Sequence, residues 1–272
     1  MELNGTDIWY EDTGGDGEVV LFHHGYTGSH DTWPQIIDRM RPDRRYLMMD
    51  ARGAGDSGRP DDGSYTVDQY VADVIGLVDA LGIDTFTYVG HSMGGGIGFV
   101  LGLDHGDRLD RLVLVAPVPS GGIQPVEAMR AEGVALWNAQ DEEELLRQRM
   151  VGAARPEVTD EVGAKAAVGR ALSVSRGHYE QSWQEMIDFD VTDRLSELTT
   201  PTFMIAGAAD GLVGANVEDY LRLRRATLHV FNRVGHSIPS EVPDQFAEVL
   251  IDFLDQGVVT AGTLAKRVAG RA

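Results

Sequence analysis

The sequence predicts an α/β protein: a mostly parallel sheet flanked by helices, with a helical insertion interrupting it. Three observations carry this. Short, nearly continuous apolar runs alternate with segments of helical periodicity, the pattern of strands covered on both faces. Glycine-rich turns follow several of the runs. Between Pro117 and Leu198 strand-like runs cease, and charged helical segments follow one another.

In chain order, Thr6–Tyr10 and Val19–His23 flank the turn Thr13-Gly14-Gly15-Asp16-Gly17, which predicts a hairpin-like start. Arg45–Asp50 reads as the next strand, and Ala51–Pro60 as a glycine-rich loop. From Tyr65 to Leu81 the apolar residues Val67, Tyr70, Val71, Val74, Ile75, Leu77 and Val78 fit a helix lying on a sheet. Phe86–Val89, Leu112–Ala116, Thr202–Ala206 and Ala226–Phe231 are further strands, and Val242–Leu254 a closing helix. The insertion divides into helices at Pro125–Trp137, Asp141–Met150, Val158–Leu172 and His178–Ile187. It is too long for a simple loop and too regular for disorder, so residues 119–196 read as a helical cap on a core of residues 1–118 and 197–272. The tail from Gly257 is weakly patterned, either a terminal helix or disordered.

Composition narrows the partners. The 272 residues carry 43 acidic against 23 basic side chains, a net charge of -20 that repels nucleic acid and anionic membranes. No apolar run approaches the roughly 18 residues that cross a bilayer. The N-terminus Met1-Glu2-Leu3-Asn4-Gly5 has neither the basic nor the apolar region of a signal peptide. There is no cysteine, which excludes disulfides, thiolate metal sites and a Cys nucleophile. Together these predict a cytoplasmic protein.

Gly90-His91-Ser92-Met93-Gly94 sets one serine between two glycines, directly after the apolar run Phe86–Val89. A strand turning sharply into a helix at a serine is a nucleophile elbow. It strains the serine backbone, leaves no room for side chains at the glycines, and aims helical N–H groups at the reacting centre. Such a serine needs a base, and the base an orienting acid. His236, in Val234-Gly235-His236-Ser237, follows the last strand, and Asp210 follows the strand before it. Both therefore fall at carboxyl ends of strands, where open α/β sheets place their sites. Asp190, Asp193 and Asp219 are alternatives to Asp210, though none directly follows an apolar strand. The N–H groups of Met93 and of Tyr26, in the turn His24-Gly25-Tyr26, are candidate donors to an oxyanion. His23 and His24 read mainly as structural.

On these residues the chain resembles the α/β-hydrolase superfamily. The matching segments are His24–Tyr26, Asp50–Ser57, Gly90–Gly94, Gly207–Asp210 and Gly235–His236, so the resemblance spans nearly the whole chain. It implies an eight-stranded, mostly parallel sheet, a helical cap after the sixth strand, no metal or organic cofactor, and a structural role for the loop Arg52–Ser57.

Epoxide hydrolases and haloalkane dehalogenases of this superfamily carry aspartate at the elbow, so Ser92 disfavours both. Acyl chemistry remains, with a carboxylesterase acting on small to medium apolar acyl esters as the first reading. A lactonase, including one for N-acyl homoserine lactones, is second, followed by a C–C bond hydrolase or a cofactor-free perhydrolase. The acidic cap has few arginines placed by any motif, which weakens the C–C option because a dienoate carboxylate needs polar partners. Trp137, Trp183, Met129, Met150 and Met186 either offer substrate contacts or pack cap against core. The non-enzyme alternative is a ligand-binding receptor on the same fold. The expected partner is a small-molecule ester or lactone, and the oligomeric state stays open.

Overall fold

Seven of the apolar or half-apolar runs join one sheet. The computed structural model describes residues 1–61, 63–124, 127–157, 159 and 161–270, without the side chains of residues 127, 129, 266 and 267. Its strands are β1 (Glu2–Leu3), β2 (Thr6–Asp7), β3 (Tyr10–Asp12), β4 (Val19–His23), β5 (Arg45–Met49), β6 (Phe86–His91), β7 (Leu109–Val115), β8 (Thr202–Gly207) and β9 (Ala226–Phe231). The main sheet has the order β3-β5-β4-β6-β7-β8-β9, with β3 antiparallel to β5 and every other pair parallel.

Two expectations are corrected here. Val19–His23 does not form a hairpin with the run before it, because β4 pairs in parallel with both β5 and β6. Val20, Leu21, Phe22 and His23 are buried, so this strand needs neighbours on both sides and sits inside the sheet. Half-exposed β3 takes the edge instead. The main sheet also has seven strands rather than eight. β1 and β2 pair only with each other, across Asn4-Gly5, both at positive φ (49° and 80°), the turn chemistry that closes a tight hairpin.

The helices are α1 (Pro34–Ile37), α2 (Val67–Ala80), α3 (Met93–Asp104), α4 (Glu127–Ala139), α5 (Glu142–Val151), α6 (Glu161–Ser173), α7 (Trp183–Asp188), α8 (Val213–Arg222), α9 (Ile238–Glu241), α10 (Pro243–Gln256) and α11 (Ala261–Val268). Helices α4 to α7 and a π-helical turn, His178–Ser182, occupy the insertion between β7 and β8. Pro125, Val126, Val158 and Asp160, at two of the predicted helix starts, lie outside the described residues. Among the described residues no helix is long and apolar enough to cross a membrane.

Alternation along the strands builds two cores. Leu21, Leu47, Leu112 and Leu114 pack with Val74 and Leu77 of α2 and Ile97 and Leu101 of α3. Val20, Phe22, Met48 and Val113 face the other way, against Ile36 of α1 and Phe246, Leu250 and Phe253 of α10. The chain leaves β4 toward β5 on one side, then returns to β6 on the other. Connections therefore diverge at the carboxyl ends of β4 and β6 and open a crevice between them. The loop after β4 carries Gly25-Tyr26, and the turn after β6 carries Ser92.

Candidate active site

Ser92 lies between the end of β6 and the start of α3 with φ 54° and ψ -112°, a strained backbone for a residue with a Cβ. The flanking glycines are sterically required. A Cβ on Gly90 would stand 2.2 Å from the Gly94 carbonyl oxygen, and one on Gly94 would stand 2.7 Å from that of His24. The Ser92 N–H donates to the Val115 carbonyl at 2.9 Å, fastening the elbow to the end of β7.

Ser92 Oγ is 2.8 Å from His236 Nε2, and His236 Nδ1 is 2.8 Å from Asp210 Oδ2. The loops carrying the last two residues brace each other. Ala209 N–H donates to the Val234 carbonyl at 2.9 Å across them, and within the His236 segment Gly235 N–H donates to Glu241 Oε2 at 3.0 Å. Asp210 Oδ1 accepts from the Leu212 N–H at 3.1 Å. Burial by itself raises the Asp210 carboxyl, but the His236 hydrogen bond and charge outweigh it, and the pKa falls below the ordinary value. Asp210 therefore stays ionised beside the imidazole.

The alternative acids point elsewhere. Asp219 is buried on α8, where its oxygens accept from the Ser120 N–H at 2.8 Å and the Ser120 hydroxyl at 2.5 Å. Asp190 accepts from the Thr192 N–H at 3.0 Å, and Asp193 is exposed.

The Met93 N–H opens α3, where no carbonyl one turn earlier can accept it. Tyr26 lines the same cavity as Ser92. Its loop is held from below by His24, whose Nε2 accepts from the Ala51 N–H at 3.0 Å and whose Nδ1 reaches the Gly25 carbonyl at 2.7 Å. Those partners require the neutral ring with the proton on Nδ1. Burial agrees, pushing the His24 pKa down to about 3. His23 is likewise buried and pushed to about 3.

From above, Tyr26 is held by the insertion. Its hydroxyl donates to the Tyr179 carbonyl, and its own carbonyl accepts from His178 Nε2. His178 Nδ1 then accepts from the Tyr70 hydroxyl at 2.7 Å. The sequence carried no signal for this clamp, because a π-helical turn sets the direction of His178 and its partners Tyr26 and Tyr70 come from two distant segments.

A cavity of about 1100 Å³ opens over Ser92, His236 and Asp210. Trp183 and Met186 line it. Trp137 and Met150 are corrections. Trp137 stacks on Tyr179 with ring centroids 4.3 Å apart and donates to the Ala171 carbonyl at 3.0 Å, so it packs inserted helices together. Met150, on α5 between its two packed neighbours in the insertion, is also absent from the lining. The Met129 side chain lies outside the described residues. Arg130, Arg149 and Arg170, which no sequence motif placed, all reach the cavity wall.

For a cation, His30, Asp50 and Asp56 bring ligand atoms within 4.8 Å of one another. Asp50 already accepts from the His30 N–H at 2.6 Å and the Asp56 N–H at 2.8 Å, which is the bracing expected of the loop after β5.

The protein is 27% identical to the putative carbamate hydrolase RutD of Caulobacter sp. (strain K31), over 91% of this chain and 95% of that protein. Its fold matches the bromoperoxidase of Bacillus anthracis with a TM-score of 0.84 at 22% identity, covering 92% and 96% of the two chains. It matches Est816, described as an N-acyl homoserine lactone degrading enzyme, with a TM-score of 0.76 at 27% identity, covering 93% and 98%. The fold and the hydrolase-named relatives support an enzyme. A family model described as alpha/beta hydrolase fold matches residues 18–242, and the chain belongs to that family.

Proposed function

We propose that this protein is a serine hydrolase cleaving carboxylic esters through an acyl-enzyme intermediate. The observation that carries the reading is the pair of 2.8 Å contacts linking Ser92 Oγ, His236 and Asp210 inside one cavity. Ser92 Oγ attacks the carbonyl carbon while His236 Nε2 takes its proton, and Asp210 holds the imidazole and stabilises its cation. The N–H groups of Tyr26 and Met93 bind the oxyanion. The intermediate collapses, His236 protonates the departing alkoxide, and water repeats the sequence to free the acid and restore Ser92. The inserted helices of residues 119–196 roof the reaction as a cap, with Trp183 and Met186 against the acyl chain.

Lactone opening is the second reading, favoured by the 27% identical structure described as degrading N-acyl homoserine lactones. The test is hydrolysis of p-nitrophenyl acetate and butyrate, γ-lactones and homoserine lactones by wild type and Ser92→Ala. Aryl-ester turnover lost in Ser92→Ala is expected. Turnover surviving in Ser92→Ala would falsify the nucleophile assignment, and tight ligand binding without any turnover would favour the receptor reading.

A further inference from the structure

The cavity over Ser92 carries more positive charge than the composition leads one to expect. Acidic residues outnumber basic ones 43 to 23, yet three arginines on three successive helices line it: Arg130 on α4, Arg149 on α5 and Arg170 on α6. The carboxylates of the same wall are engaged elsewhere. Asp210 holds His236, and Glu180 accepts from Arg176 at 2.8 Å. Arg170 faces Asp31 at 3.6 Å. Among the described residues, Arg130 and Arg149 have neither a hydrogen bond nor an ion pair.

Both guanidiniums share their wall with Val118, Ile123, Val134, Trp183 and Met186, Arg130 half-buried and Arg149 more open to solvent. Partial desolvation and the neighbouring charge of Arg170 lower the Arg149 pKa, with the smaller effect of the Glu241 carboxylate opposing them. An anion bound there would relieve both effects. The planar fork of a guanidinium matches the two oxygens of a carboxylate.

We infer that Arg130 and Arg149 form a carboxylate subsite, and that the substrate is an ester or lactone with a free carboxylate separated from its scissile carbonyl by an apolar stretch. The subsite is a statement about binding. That the ligand is an ester or lactone, and where its scissile bond lies, rest on the serine hydrolase reading above.

The experiment is calorimetric binding of monomethyl adipate and dimethyl adipate to Ser92→Ala, which needs no turnover. The half-ester should bind about tenfold tighter or better, the scale of a charge-assisted contact. Adding Arg130→Gln and Arg149→Gln, singly and together, should shrink that preference toward unity, with thermal unfolding checking that each variant folds. Equal or tighter binding of the diester by folded Ser92→Ala overturns the subsite, as does a preference that survives both substitutions. The same pair offered to wild type separates the two proposals. A binding preference without hydrolysis refutes the hydrolase reading and keeps the subsite, and hydrolysis without preference does the reverse.

Discussion

His178 donates its Nε2 proton to the carbonyl oxygen of Tyr26, and the two rings stack with centroids 5.6 Å apart. The bond joins residues 152 positions apart and ties the loop after β4 to the insertion. It makes the backbone of the proposed oxyanion donor depend on a residue outside the core sheet.

Replacing His178 should therefore act on rate more than on binding. His178→Ala is expected to lower kcat about 10- to 100-fold with a smaller change in KM, the scale of a misplaced oxyanion donor. His178→Gln, which can still present an amide N–H to Tyr26, should recover part of the loss. Equal losses for the two variants, or a change confined to KM, would remove His178 as a positioning residue.

His236→Ala is expected to abolish ester turnover with folding intact, because Ser92 loses the base 2.8 Å away. Asp210→Asn should reduce kcat by about 10³- to 10⁴-fold, since the amide favours the wrong imidazole tautomer. Steady-state kinetics on p-nitrophenyl butyrate check both. An Asp219→Asn variant as impaired as Asp210→Asn would show that the acid lies on α8.

Three buried imidazoles predict an acid-sensitive fold. His23 and His24 are pushed to about 3 and His178 to about 4, in each case chiefly by burial. In the unfolded chain they take up protons below about pH 6.5, whereas the native state binds none of these until pH 4 or lower. The unfolded state thus holds up to about three more protons from these groups in between, so stability rises with pH through this window and falls on acidification. Urea unfolding at pH 7, 6 and 5 should show decreasing stability, with a shallower slope in a folded His23→Gln variant. Pairing keeps the Asp210 pKa below the usual carboxylate range, so its contribution persists above that range and is lost only as pH falls through the lowered value.

Arg52 and Asp73 are both buried and joined by two bonds, Nε to Oδ2 at 2.6 Å and Nη2 to Oδ1 at 2.7 Å. Removing one partner strands the other charge, so Arg52→Ala or Asp73→Ala is expected to cost about 3–5 kcal/mol. A well-packed Arg52→Met/Asp73→Leu double variant should be less destabilised than either. Chemical denaturation of the three proteins decides it, and additive losses would show that the pair does not act as a unit.

The sequence by itself determined the alternation of strands and helices, the insertion between two strands, and the nomination of Ser92, Asp210 and His236. Each of these is written in a local pattern: burial periodicity within one element, glycines crowding a turn, or a residue directly following an apolar run. Tertiary structure decided what depends on which segments meet. It set Val19–His23 between two parallel partners rather than in a hairpin, and left β1 and β2 as a separate pair. It sent Trp137 into packing between inserted helices and brought three arginines from separate helices to one cavity. It also closed His178 onto Tyr26. The physical reason is range. A helix or strand follows from neighbours a few residues apart, whereas the face an inserted helix turns toward the core depends on every surface it can bury against.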